Sequence, residues 1–151
     1  MLSRYEQFTY IISSIHRHIQ KIERDVMIQY GYKGSYAQYL AAMSRYPEGL
    51  TATVLGEICD KDKAAVSRAV SEMEERSLIR RETDSDSFYR ARLYLTEDGQ
   101  RAAAYVLQKA QAVVEEVGKA LSDDERALFY ALLDRISGRL ESVSKDGVSQ
   151  S

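Results

Sequence analysis

The segment TATVLGEICDKDKAAVSRAVSEMEER, residues 51–76, decides the fold. Val54, Leu55, Ile58 and Cys59 recur at three- and four-residue steps, which predicts a short helix with one apolar face. Thr51 stands at its N-cap, where a side-chain oxygen can accept from a free backbone N–H. Asp60-Lys61-Asp62 reads as a tight polar turn. A second helix is predicted from Lys63 to about Arg76 with Asp62 as its cap, and Val66, Ala69, Val70 and Met73 line one side. Two helices of this length joined by a three-residue polar turn form a helix-turn-helix.

Outward from that pair the pattern changes. Leu78 to Glu82 is short and extended, Thr83 to Ser87 is a polar, acidic turn, and Arg90 to Leu95 reads as a second strand. Together they predict a β-hairpin, or wing. On the N-terminal side, residues 4–29 carry Phe8, Ile11, Ile12, Ile15, Ile19, Ile22 and Val26 with helical period, ended by Gly31 and Gly34. Ser35 and Gln38 have the spacing of a capping box for the next helix, which carries Tyr36, Tyr39, Leu40 and Met43 and is closed by Pro47. On the C-terminal side, Thr96 caps a helix that runs to about Lys119. Ser122 and Glu125 form a capping box for a last helix carrying Leu128, Phe129, Leu132, Leu133, Ile136, Leu140 and Val143. The expected fold is mainly α with a small β-hairpin wing. It is read as a single domain, 1–151, with a winged helix-turn-helix lobe at about 35–96 and dimerisation helices at about 2–30 and 97–145. The terminal apolar stripes recur about every 3.5 residues, the spacing of interhelical seams, so an intertwined homodimer is expected.

Four segments, in order, resemble the MarR family of regulators. They are Leu50 to Ile58, then Asp62 to Val70 (a D-K-x-x-V-S-R pattern), Met73 to Arg81, and Leu95-Thr96-Glu97-Asp98-Gly99. The resemblance implies a winged helix-turn-helix dimer that binds double-stranded DNA and regulates transcription, usually as a repressor. It also implies a pocket for small aromatic or anionic effectors. Two positions depart from the family pattern. Ser77 replaces a glycine that often has positive φ, so it must take another geometry or accept strain. Ser87 and Tyr89 stand where the wing tip usually has Asp-x-Arg.

On a helical wheel the side opposite Val66 and Val70 holds Ala64, Ser67, Arg68 and Ser71, with Ala65 at the flank. Small residues let a helix approach base edges, serine can exchange hydrogen bonds, and arginine can take guanine or clamp a phosphate. Lys61 and Lys63, beside the free N–H groups of the helix start, suit phosphate, as do Thr51 and Thr53. Arg90 and Arg92 are the wing candidates. Glu72, Glu74 and Glu75 are expected to repel DNA, leaving only the N-terminal half of the helix for the groove. A two-fold dimer would set its recognition helices about 34 Å apart on a pseudo-palindromic operator. Tyr5, His16, Tyr36 and Tyr39 are candidates for lining an effector pocket, against the alternative that the tyrosines are packing residues.

Composition sets the outer bounds. The formal net charge is −2, so a DNA surface must come from the placement of charges and not from their number. No cofactor is expected. His16 and His18 point to different sides of a helix and make poor co-ligands for a metal. The one cysteine, Cys59, excludes an internal disulfide and is expected to be buried and inert. No phosphate-binding glycine loop, nucleophile with its base, or paired carboxylate site is present, so no enzyme is expected. No apolar run is long enough to span a bilayer, and a cytoplasmic location is expected. A winged-helix adaptor that binds a protein instead of DNA is the alternative function.

Overall fold

A computed structural model describes residues 1–83 and 90–148. Among the described residues the elements are, in order, α1 (Arg4–Tyr30), α2 (Tyr36–Met43), β1 (Leu50–Thr51), α3 (Ala52–Cys59), α4 (Lys63–Glu75), β2 (Ile79–Glu82), β3 (Arg92–Leu95), α5 (Glu97–Gly118) and α6 (Asp123–Asp146). Most of the expected wing turn, including Ser87 and Tyr89, lies outside the described residues. The chain divides into two compact units, Met1–Gln111 and Ala112–Ser151.

The first unit holds the core. Met27, Leu40, Met43, Leu55, Val70, Met73, Leu78, Leu93 and Val106 are fully buried, so the end of α1, α2, α3, α4, the sheet and the first turns of α5 share one apolar interior. The strands form an antiparallel sheet in the order β1-β3-β2, with Leu50 opposite Leu93 and Ile79 opposite Leu95. Alternation puts Ile79 and Leu93 inward and Arg80 and Arg92 outward. Arg80 and its cross-strand neighbour Tyr94 stack, the guanidinium lying 4.4 Å from the ring centre.

Several local expectations are corrected. The hairpin has a third strand, β1, because Leu50 and Thr51 pair with β3; a two-residue strand is too short to show alternation. The strand expected from Arg90 starts at Arg92. Ser35 makes no capping hydrogen bond. Its backbone is already helical, at φ −61° and ψ −19°, whereas a capping side chain needs an extended backbone to reach the following N–H groups. Helix α2 ends at Met43, ahead of Pro47, in turns closed by Arg45 N–H to Ala42 O and Tyr46 N–H to Met43 O. The other caps match the sequence: Thr51, Asp62 and Ser122 each accept from the backbone N–H three residues on.

In the second unit, α6 has the Ser122–Glu125 capping box, and Arg126 donates to the carbonyls of Gly118 and Leu121 across the preceding turn. None of the α6 residues is buried. Among the described residues no helix is long and apolar enough to cross a membrane.

Candidate nucleic-acid interface

The turn between α3 and α4 is built from three backbone decisions. Asp60 takes a left-handed conformation at φ 52°, which aspartate tolerates better than most residues. The Lys61 N–H then reaches back to Gly56 O at 2.9 Å, closing α3. Asp62 returns to an extended backbone, and its Oδ1 accepts from the Ala65 N–H at 2.8 Å, opening α4.

Helix α4 is anchored by Val66, Val70 and Met73, all at or below 2% exposure. The same helix presents Ala64, Arg68 and Ser71 to solvent, with Ala65 and Ser67 half-buried at the margins. Thr53, Lys61 and Lys63 line a concavity of about 500 Å³ between α3 and α4, together with Glu57 and Asp60. Thr51 is half-buried, and its hydroxyl oxygen caps α3 by accepting from the Val54 N–H at 3.3 Å.

The wing candidates differ from one another. Arg90 is exposed ahead of β3. The Arg92 side chain donates to the backbone carbonyls of Glu48 and Gly49, at 3.3 and 3.1 Å, and so braces the loop before β1. In that loop Gly49 has φ +81°, and a Cβ there would lie 2.7 Å from the Tyr94 ring. Only glycine fits.

The acidic end of α4 is partly neutralised. The Glu72 carboxylate accepts from Lys33 Nζ at 2.7 Å and from the Tyr36 hydroxyl at 3.0 Å. Those two bonds, the one from Lys33 first, hold Glu72 below the usual carboxylate range. Glu74 pairs with Arg81 of β2. Glu75 is exposed. The expectation of three repelling carboxylates therefore overlooked partners for two of them. Nothing in the local pattern indicates these partners. Lys33 and Tyr36 lie 39 and 36 residues from Glu72 along the chain, beyond the reach of any periodicity.

The four candidate pocket residues occupy different settings. Tyr5 is 75% exposed and His16 is exposed on α1, whereas Tyr36 and Tyr39 are each 3% exposed inside the core. None of the four lines the concavity between α3 and α4. Tyr36 is committed to Glu72, and burial pushes the Tyr39 phenol up. Cys59 is half-buried. Its thiol donates to Gln38 O at 3.7 Å, and burial raises its pKa, which favours the less reactive protonated form. Among the described residues no group of three or more His, Cys, Asp or Glu side chains could hold a metal ion.

Known proteins resemble this chain in sequence over part of its length and in fold over nearly all of it. A family model described as "MarR family" matches residues 30–87. A "putative transcriptional regulatory protein for hcr operon" from Thauera aromatica is 31% identical over 88 residues, which is 58% of this chain and 53% of that protein. "Transcriptional regulator HosA" of Escherichia coli is 31% identical over 88 residues, or 58% of this chain and 65% of that protein. The matched segment thus spans about half to two thirds of these relatives. Among solved structures, "Crystal Structure of MarR" aligns with a TM-score of 0.78 at 19% identity, covering 97% of this chain and 99% of that one. A MarR-family transcriptional regulator from Silicibacter pomeroyi gives 0.72 at 22% identity, covering 95% and 92%. A MepR–DNA complex from S. aureus gives 0.67 at 20% identity, covering 91% and 99%. Residues 30–87 thus match the MarR family model, and nearly the whole chain shares the winged-helix fold of the solved MarR structure.

Proposed function

We propose that the chain is a homodimeric transcriptional regulator that binds double-stranded DNA sequence-specifically, with the outer face of α4 in the major groove. The observation that carries this reading is the division of α4 into two faces. Val66, Val70 and Met73 fix the helix in the core, while Ala64, Ser67, Arg68 and Ser71 form a small, polar strip with a single cation. Such a strip allows close approach to base edges, and the exposed Lys61 and Lys63 stand at the helix start, where amides and cations together favour phosphate. The names of the relatives from Thauera aromatica and Escherichia coli support a role in transcription. The solved MepR–DNA complex supports DNA as the partner.

Two copies related by a two-fold axis would read a pseudo-palindromic operator with half-sites about one turn, roughly 34 Å, apart. Repression is the expected sense of regulation. A small aromatic or anionic ligand would act by favouring a spacing of the two recognition helices that no longer fits one turn of duplex.

Duplexes selected by the protein from a random-sequence library, then titrated in a gel-shift salt series, test the reading. Log affinity should fall linearly as log salt rises. Arg68→Ala should weaken the selected site by about 1–3 kcal/mol, roughly fivefold to 150-fold, and relax the preference at one base pair per half-site. Absence of any shift at low salt would favour the protein-binding adaptor.

A further inference from the structure

Two successive turns of α4 are fastened to the junction between α1 and α2. Glu72 accepts from Lys33 and from Tyr36. One turn later the Arg76 guanidinium lies 4.9 Å from the centre of the Tyr32 ring. Glu72 and Arg76 are four residues apart and therefore neighbours on one helix face. Their partners Tyr32, Lys33 and Tyr36 are close together in the chain, so a single short junction grips the helix at two levels.

The parts of this clamp are unequal. The side chains of Lys33 and Glu72 are 62% and 41% exposed, and an ion pair so placed is screened and weak. Tyr36 is different. Its ring is 3% exposed and packed in the core, so its hydroxyl is held in one place. A fixed phenol donating to a carboxylate makes a directional, charge-assisted bond. It registers α4 against a part of the molecule that cannot shift without repacking. Glu72 is also one turn from Arg68, at the edge of the exposed strip, so any rotation it prevents would be felt directly at Arg68.

We propose that Glu72 is a positioning residue for DNA recognition: through Tyr36 and Lys33 it sets the rotation at which α4 presents Ser67, Arg68 and Ser71, and ties that rotation to the α1–α2 junction. This rests on the DNA-binding reading above. The sign of the effect separates it from plain electrostatics. Removing a negative charge from a helix that faces phosphate should tighten binding; removing a positioning carboxylate should loosen it.

The test compares wild type, Glu72→Gln, Tyr36→Phe, the double variant and Glu75→Gln by fluorescence anisotropy on the duplex the wild type selects. Amide hydrogen exchange of the DNA-free proteins is measured alongside. Glu72→Gln and Tyr36→Phe should each weaken binding about threefold to tenfold, the span of one hydrogen bond. The double variant should lose less than the sum of the two singles, because both changes act on one bond: glutamine weakens its charged acceptor and phenylalanine removes its donor. Glu75→Gln, which removes an exposed charge outside the clamp, should bind as tightly as wild type or more so. Amides of α4 should exchange faster in Glu72→Gln and Tyr36→Phe and at the wild-type rate in Glu75→Gln. Equal or tighter binding by Glu72→Gln, an unaffected Tyr36→Phe, or unchanged α4 exchange would each overturn the positioning role while leaving the DNA-binding reading intact. A wild-type protein that selects no duplex would remove the DNA-binding reading, and the positioning role with it.

Discussion

Ser77 sits at φ 58°, in the left-handed region that disfavours every residue with a Cβ. It is the first residue beyond the C-cap of α4. The Ser77 N–H bonds Glu74 O and the Leu78 N–H bonds Met73 O, both at 2.9 Å, the paired bonds of a Schellman ending. Met73 and Leu78 are fully buried, which locks that ending into the core. Of the two outcomes open to Ser77 from sequence, the accepted strain is the one observed. The bond from Thr96 Oγ1 to Ser77 O, at 2.6 Å, uses the backbone carbonyl and not the serine side chain. Ser77→Gly should therefore relieve strain without losing a contact. Stability should rise by about 1 kcal/mol, read as an increase of about 2–4 °C in melting temperature. A fall in melting temperature would show that the serine hydroxyl matters more than its backbone. Capping serines and aspartates were legible by residue type and spacing. The exception, Ser35, shows the limit: the residue type was right, but a turn after Gly34 had already placed its backbone in the helical region.

At the scale of elements, the start of α5 crosses the end of α4 at very short range. A Cβ on Gly99 would come within 1.9 Å of Leu78 O, a backbone atom that cannot swing aside. That carbonyl already accepts from the Thr96 N–H at 3.0 Å, and Thr96 Oγ1 accepts from the Gly99 N–H at 3.0 Å. The Leu-Thr-x-x-Gly segment is thus a joint that seats α5 on the link between α4 and β2. Gly99→Ala should separate these elements and destabilise the protein by about 3 kcal/mol, the upper part of the range for overpacking. Denaturant titration checks this, and a loss below about 0.5 kcal/mol, the level of an ordinary surface substitution, would contradict the close contact. Periodicity revealed the long helices and the helix-turn-helix, since each buries one stripe in a continuous local pattern. It missed β1, whose two residues become a strand only through pairing with β3.

At the scale of the molecule, the most conspicuous feature is the apolar surface left uncovered on the terminal helices. On α1, Phe8, Ile11, Ile12 and Ile15 are each 39–47% exposed. On α6, Leu128, Phe129, Leu132, Ile136 and Leu140 are each 41–60% exposed. At three- and four-residue steps these residues make an apolar stripe along each helix, and exposed apolar surface of this kind marks interaction sites. A homodimer covering them should appear in light scattering at about twice the chain mass of 17.2 kDa. Its melting temperature should rise with protein concentration, because folding and association are then linked. A single-chain mass with a melting temperature independent of concentration would rule out the dimer, and with it the pairing of two recognition helices on one operator.

The sequence by itself determined the helices, most of their caps, the helix-turn-helix and the outward face of α4, because each follows from local period or from the chemistry of a few adjacent residues. Only the tertiary structure decided that Glu72 and Glu74 are matched by Lys33, Tyr36 and Arg81. The same holds for Arg92, which braces a loop, and for Gly99, which has no space for a side chain. The physical reason is common to all of these. A hydrogen bond or a steric contact depends on which atoms the fold brings within a few ångströms, and residues on different elements leave no trace of that proximity in the local pattern.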